Sequence, residues 1–343
     1  MENYMKKNIL IFATVFFAVC SLFAGGNKDN SARNSNAPKI VTTIFPEYDW
    51  VQNIIGENPA NAEVTMLLDS GTDLHSYQPT VADIMKISTC DLFIYVGGES
   101  DNWVDDAIKE AVNKNMVVIN LLETLGDKVK EEEIVEGMQG EDDEDADGHH
   151  EHHHDDEDEE EAEYDEHVWL SLKNAAILCD TIADAICKID AVNAATYKAN
   201  AAAYIAKLNA LDEKYTEAVA SSAVKTVLFG DRFPFRYLVD DYGLSYYAAF
   251  VGCSAETEAS FETIAFLSKK VDELSLGTIL TIEGNNHKIA QTIAQNTKAK
   301  NQKILTLDSM QSVTSKDVKN GANYLSLMEK NLETLKAALG ASK

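Results

Sequence analysis

Short apolar runs bounded by turn residues alternate with stretches of helical periodicity through most of this 343-residue chain. The runs Lys39–Phe45, Glu63–Leu68, Asp91–Val96 and Met116–Leu121 are continuous rather than alternating, the pattern of strands buried on both faces of a parallel sheet. Pro46 closes the first and Gly97-Gly98 the third, and helical patterns lie between them, at 80–89 and Trp103–Asn113 among others. From Leu172 the period changes. Leu178, Ile182, Ala185, Ile186 and Ile189 share one helical face, and Tyr197, Ala201, Tyr204, Leu208, Leu211 and Tyr215 continue at steps of four and three. No Pro or Gly interrupts 173–222, so the pattern predicts a long linker helix over 171–222, with Asp190 as an internal cap. Its 190–220 portion would be a rod of about 46 Å, suited to a coiled-coil arm or to a strut crossing a two-lobed molecule. Strand runs then return at Thr226–Phe229, Leu244–Phe250, Thr278–Ile282 and Lys303–Leu307, with helices at Phe235–Tyr242, Glu258–Leu274, Lys288–Lys300 and Tyr324–Leu339. The fold class is α/β: two four-stranded parallel lobes, 39–170 and 223–343, bridged by one long α-helix. Ligands of open α/β sheets gather beyond the carboxyl ends of strands, which points to the interlobe cleft.

Charge changes that picture in one place. The formal net charge is −28, but residues 131–166 hold 21 of the 57 acids and no Lys or Arg. The remainder carries 36 acids against 29 bases, an ordinary balance with no basic patch, which argues against nucleic acid as a partner. Five of the eight histidines, His149, His150, His152, His153 and His154, lie inside the acidic tract, and His167 follows where apolar sequence resumes. Imidazole with carboxylate is a donor set for divalent metals, so a loop at about 131–164 reads as an accessory metal-gathering segment; the plainer reading is a solvated charge run.

The N-terminus has the form of a signal peptide over 1–24: Lys6 and Lys7 precede an apolar run from Ile9 to Val19, too short for a comfortable membrane span. Cys20 ends the run as in a bacterial lipoprotein signal, although Val19 is larger than the residue usual before the lipidated Cys. Cleavage after Ala24 is the alternative. A polar tether over 25–38 follows. The other cysteines, Cys90, Cys179, Cys187 and Cys253, lack CxxC spacing and read as small buried residues.

Two loops carry candidate chemistry: Gly71-Thr72-Asp73-Leu74-His75-Ser76-Tyr77-Gln78-Pro79-Thr80 after the second strand, and Asp165-Glu166-His167-Val168-Trp169-Leu170 after the tract. A lone loop histidine is more often a surface residue than a ligand. Together, however, the two stretches resemble the zinc- and manganese-specific solute-binding proteins of bacterial ABC importers, the ZnuA- and TroA-like group. His75, Tyr77, Gln78, Pro79 and Thr80 match that group's first ligand loop, with Leu74 in place of a Pro. Asp165, His167, Trp169 and Leu170 match the second, with Glu166 in place of a Pro. Asp91–Tyr95, Asp101-x-Trp103 and Tyr242-Gly243-Leu244 fall in the same order, and the resemblance spans roughly 39–340.

The resemblance implies two lobes joined by a long helix, a metal between them, and two ligands from each lobe. On it His75 and His167 are the first lobe's ligands. In the second lobe the family's His position holds Arg232, whose guanidinium has no lone pair to offer. Neighbouring Asp231 supplying the ligand, with Arg232 paired to a carboxylate, is the simplest repair; a three-ligand site with water and a lost site are the others. Asp308 matches the family's Asp after the last strand, and Glu283 is either a further ligand or the partner of Arg232. Added oxygen ligands move preference toward Mn²⁺ or Fe²⁺, whereas the His tract and the order of intrinsic affinities favour Zn²⁺. The implied function is extracytoplasmic capture of Zn²⁺ by a monomer that delivers it to an ABC importer permease and touches the membrane only through a lipid anchor. An adhesin or metal buffer is the rival of another class. A metal-dependent hydrolase ranks last, since the chain has neither a His-Glu-x-x-His helix nor a Gly-x-Ser-x-Gly elbow.

Overall fold

The computed structural model of the chain describes residues 37–139, 163–254, 258–284 and 286–341. The segment 1–24 with Cys20, most of the tether, and the five tract histidines lie outside the described residues.

The first lobe is a four-stranded, all-parallel sheet in the order β2-β1-β3-β4, built from β1 (Lys39–Thr42), β2 (Glu63–Met66), β3 (Leu92–Tyr95) and β4 (Val117–Asn120). Helices α1 (Phe45–Ile55), α2 (Val81–Ser88), α3 (Val104–Lys109) and α4 (Leu121–Leu125) make the connections. The central strand β3 is buried at every position, which is why its sequence reads as an unbroken apolar run. At the β1–α1 turn the buried Glu47 carboxylate accepts hydrogen bonds from the Thr43 and Ile44 amides, satisfying donors that the helix start leaves open.

The stretch expected as one linker helix is two helices, α5 (Leu172–Ile189) and α6 (Ala194–Ser221), packed along each other. Asp190 takes a non-helical conformation, and its carboxylate accepts from Asn193 and Tyr197, so the side chain that invites a cap also breaks the rod. The 28-residue α6 buries the Tyr197, Ala201, Tyr204, Leu208, Leu211 and Tyr215 stripe read from the sequence, against α1 on the first-lobe side and helices of the second lobe on the other. It is the strut.

The second lobe contains β5 (Thr226–Leu228), β6 (Arg232–Phe233), α7 (Arg236–Tyr242), β7 (Ser245–Tyr247), β8 (Phe250–Val251), α8 (Phe261–Glu273), β9 (Thr278–Thr281), α9 (Lys288–Asn296), β10 (Lys303–Thr306), α10 (Ser315–Lys319) and α11 (Tyr324–Leu339). Its ladders are parallel pairs, β10-β9 and β5-β7, linked through a parallel bridge between Phe229 and Leu280, beside a small β6-β8 pair. The run expected as one strand over Leu244–Phe250 is split into β7 and β8, because Phe250 leaves the β5 ladder to pair with Arg232.

Part of the acidic tract is folded. Residues 131–139 run from one lobe to the other: Glu131 bridges Tyr164, the Gln139 amide donates to the Ala249 carbonyl, and Met138 is buried. Residues 140–162 of the expected loop lie outside the described residues. Among the described residues no helix is long and apolar enough to cross a membrane.

Candidate metal centre

Among the described residues, every candidate ligand lies beyond the carboxyl end of a strand or in the segment that returns from the tract. His75 sits in a single 3₁₀ turn, Leu74–Ser76, capped by Asp73, whose Oδ1 accepts from the His75 amide at 3.1 Å. Leu74, where the family has Pro, plugs the core at 1% exposure and anchors the loop by burial instead of ring stiffness. His167 opens a second 3₁₀ turn, Val168–Leu170, and is completely buried. The Asp165 Oδ1 accepts from both its amide, at 2.8 Å, and its Nδ1, at 3.0 Å.

The two histidines meet. Their Nε2 atoms are 3.2 Å apart. The His75 Nδ1 faces Ser100 Oγ at 2.8 Å and Glu166 Oε2 at 3.3 Å, and the His167 Nδ1 faces the Asp165 carboxylate. A carboxylate can only accept, so the His167 Nδ1 carries the proton and its Nε2 presents a lone pair, whereas the nearer partner of the His75 Nδ1 is the Ser100 hydroxyl, which can donate or accept. The His75 Nε2 meets that lone pair with its own proton, as a hydrogen bond, or, when its proton sits on Nδ1, across a shared cation. This carboxylate–histidine arrangement also fixes ring orientation and raises donor basicity.

The electrostatics agree with a cation site. Burial alone would lower the His167 imidazole, but Asp165 outweighs it and raises the imidazole above its ordinary value. Burial alone would raise the Glu166 carboxyl, but His75 and Ser100 hold it below the usual range. Gly98 makes room for that carboxylate: its φ is +82°, and a Cβ there would overlap Glu166.

The second lobe brings Cys253 rather than an acid. His75, His167 and Cys253 offer ligand atoms that all lie within 4.8 Å of one another, the one such group of three among the described residues. Cys253 follows the end of β8. Gly252 before it packs so close to His167 that a Cβ would stand 3.0 Å from the imidazole Cε1 and 3.0 Å from the Phe233 carbonyl. Burial and the acids Glu132, Asp165 and Glu166 push the Cys253 thiol up, so without a cation it stays protonated. The expectation of small buried cysteines holds for Cys90 and Cys179, but Cys187 and Cys253 are only part-buried. The Cys253 signal was available, a nucleophilic side chain just after a second-lobe strand, but spacing alone does not show what it faces.

The remaining expected residues are engaged elsewhere. Asp231 accepts from the Arg232 amide at 2.9 Å and the Ile282 amide at 3.3 Å, and burial raises its carboxyl. Glu283 accepts from Ser309 N at 2.6 Å, Ser309 Oγ at 2.7 Å and Gln311 N at 3.1 Å. Asp308 accepts from Met310 N at 2.9 Å, and burial, then the nearby Glu283, raise it to about 6. None of the three joins the His75–His167–Cys253 group. Arg232 does pair with a carboxylate, but with Asp73 across the cleft, Nη2 to Oδ2 at 2.5 Å, and not with Glu283. Burial opposes ionisation of Asp73, yet Arg232 and His75 hold its carboxyl below the usual range.

The His75–Cys253 side opens into a cavity of about 240 Å³ lined by Glu99, Ser100, Glu132, Glu163, Tyr164 and Glu166. Lining carboxylates concentrate cations at such a mouth. The arrangement can bind a divalent cation between lobes.

Comparison with known proteins shows the family. The family model described as zinc-uptake complex component A, periplasmic (ZnuA), matches residues 40–338. The zinc-binding protein AdcA of Streptococcus pyogenes is 33% identical over 339 residues, which cover 97% of this chain and 61% of that protein. The high-affinity zinc uptake system protein ZnuA of Bacillus subtilis is 29% identical over 333 residues, 97% of each chain. The chain thus spans about three fifths of the length of the first curated relatives it matches. Among solved structures, the Zn(II)-bound ZnuA-like domain of Streptococcus pneumoniae AdcA superposes with a TM-score of 0.66 at 29% identity, covering 88% of this chain and 99% of that one. The metal-dependent lipoprotein YcdH of Bacillus subtilis superposes with a TM-score of 0.68 at 26% identity, covering 88% and 99%.

Proposed function

The chain belongs to the ZnuA family of periplasmic zinc-uptake components, and on that premise we propose that it captures Zn²⁺ outside the cytoplasm and hands it to the permease of an ABC importer. One observation carries the reading: the Nε2 atoms of His75 and the fully buried His167 face each other at 3.2 Å, the His167 Nδ1 held by Asp165 and the His75 Nδ1 by Ser100 with Glu166 beside it. Neutral imidazole is a good Zn²⁺ donor, and the zinc named in AdcA and ZnuA supports the same cargo here. Capture and release involve no chemical step. The ion enters through the acidic cavity beside His75, and the lobes part around α6 to free it.

Export by the N-terminal segment, with lipidation at Cys20 holding the protein at the membrane, fits this role; a pneumococcal relative is named a zinc-binding lipoprotein. The tract histidines serve as a weak outer collector. Of the second-lobe acids proposed as ligands, Glu283 would reach the ion only by giving up its hydrogen bonds to Ser309 and Gln311, and Asp231 and Asp308 would likewise leave backbone partners. Delivery of the purified mature chain into competition with a chelator, for Zn²⁺ and Mn²⁺ separately, tests the reading. One tight Zn²⁺ equivalent, lost in the His75→Ala, His167→Ala double variant, is the expected result. Unchanged tight binding in that variant would show the site to be elsewhere.

A further inference from the structure

We propose that Cys253 is the second lobe's ligand to the transported ion, its thiolate filling the place that Arg232 cannot. The proposal rests on the reading of His75 and His167 as the first lobe's ligands. The geometry of the cluster carries it. The Sγ lies in one cluster with the two Nε2 atoms, all within 4.8 Å. In a tetrahedral Zn²⁺ site, bond lengths of about 2.0–2.1 Å to nitrogen and 2.3 Å to sulfur put neighbouring ligand atoms roughly 3.3–3.6 Å apart. The histidine pair, at 3.2 Å, already stands at that separation. The thiol needs only a side-chain adjustment to complete the triangle.

The main chain is shaped for the approach. Gly252 lets the end of β8 pack against the His167 ring, where any side chain would press on the imidazole. The Cys253 amide is held by Glu132 Oε1 at 3.3 Å, from the strap that crosses between lobes. Arg232 then clamps the two ligand loops together. Its Nη1 donates to the Ser254 carbonyl at 3.2 Å, next to the thiol, and its Nη2 donates to Asp73, two residues before His75. A guanidinium cannot ligate a metal, but here it positions a group that can.

Chemistry of the donors sets the ion. Two imidazoles and a thiolate suit Zn²⁺ and disfavour Mn²⁺, which prefers carboxylate and water. The thiol proton leaves to solvent as the ion binds, and the fourth position faces the acidic cavity, open to water. The other described cysteines do not compete for the role: Cys90 and Cys179 are buried in the core, and Cys187 lies on α5.

Zinc-edge X-ray absorption on the full chain, loaded from a chelator buffer so that only the tightest site fills, tests this directly. The expected spectrum has a sulfur shell at about 2.3 Å with nitrogen at about 2.0–2.1 Å; the tract histidines cannot supply sulfur. Cys253→Ser should lose the sulfur shell. Competitive titration should show Zn²⁺ binding weakened at least ~100-fold in Cys253→Ser and Cys253→Ala, beyond the usual loss from removing an orienting partner. The Zn²⁺-to-Mn²⁺ preference should narrow in both. A nitrogen-and-oxygen shell in the wild type, with Cys253→Ser binding like the wild type, would overturn the thiolate while leaving the zinc reading intact. Absence of tight Zn²⁺ in the wild type would overturn both, and the wild-type spectrum decides the matter even if the serine variant folds poorly.

Discussion

Arg232 Nη2 lies 2.5 Å from Asp73 Oδ2, so a residue that cannot bind metal spans the cleft and ties the second lobe to the histidine loop of the first. Both side chains are largely shielded, at 17% and 25% exposure, so the pair is not a freely solvated surface contact. Its Asp73 end also holds the His75 amide, which couples lobe closure to the orientation of a proposed ligand.

Removing the guanidinium should loosen that coupling. Arg232→Ala leaves Asp73 without its charged donor and removes the guanidinium's hydrogen bond to the Ser254 carbonyl, a loss of roughly 1–3 kcal/mol for contacts of this kind. Because these contacts exist between lobes, the loss is expected mainly as faster Zn²⁺ dissociation, by about tenfold or more, in stopped-flow chelator capture. Arg232→Lys should recover little, since an ammonium cannot reach both acceptors in a fixed fork. Dissociation rates equal to the wild type would mean that the pair does not hold the closed form.

At the proposed site Asp165 would act through His167 and not on the ion. Its Oδ1 accepts both the amide and the Nδ1 of His167. Asp165→Asn keeps an acceptor of the same shape and removes the charge that polarises the ring. Zn²⁺ affinity should fall by roughly 10–100-fold while the number and type of ligands in the X-ray absorption spectrum stay the same. A changed ligand shell would show that Asp165 itself touches the metal.

How far the sequence foretold these contacts depends on whether the cause is local. The β3 run and the α6 stripe were legible because burial leaves a period in the sequence, and α11 matches its expected span of Tyr324–Leu339. The break at Asp190 was half legible: the cap was visible, but its conversion into a turn depends on Tyr197 and Asn193 reaching back to it. Arg232 was visible as a departure, yet its partner is 159 positions away and on the other lobe, a relation no periodicity records. Cys253 is the same case. Its chemistry comes from two loops that approach it only in the folded chain.

The acidic segment should be separable from the tight site. The chain is folded on either side of it, with the Gln139 amide bonded to Ala249 and the Glu163 carbonyl accepting from Glu132. Replacing residues 140–162 by a short Gly/Ser linker should therefore abolish weak additional Zn²⁺ binding and leave the single tight equivalent within about threefold of the wild type. Calorimetric titration with and without the segment checks this. Loss of the tight site would place one of its ligands among His149, His150, His152, His153 and His154.

Far from the cleft, Asp49 shows how a buried acid ties stability to pH. It lies on α1, 8% exposed, and its Oδ2 accepts from Tyr204 on the strut at 3.1 Å and from Asn53 at 3.0 Å. Burial raises its carboxyl from 3.8 to about 6, against the lowering effect of a hydrogen bond from the Tyr324 backbone and those from Tyr204 and Asn53. A folded-state value above the unfolded one means that the folded protein binds the proton more tightly. The contribution of Asp49 to stability is therefore most favourable below about 4 and is lost as pH rises through 6, leaving a cost approaching ~3 kcal/mol at neutral pH. Asp49→Asn removes that cost, keeps an acceptor for Tyr204 and Asn53, and gives up roughly one hydrogen bond at Tyr324, worth about 1 kcal/mol. The variant should be about 1–2 kcal/mol more stable than the wild type at pH 7.5. The advantage should shrink as pH falls, and the two stability curves should cross between about pH 4 and 6. Urea unfolding of both proteins across that range checks the sign, since a pH-independent difference would mean that Asp49 is not the buried charge it is taken to be.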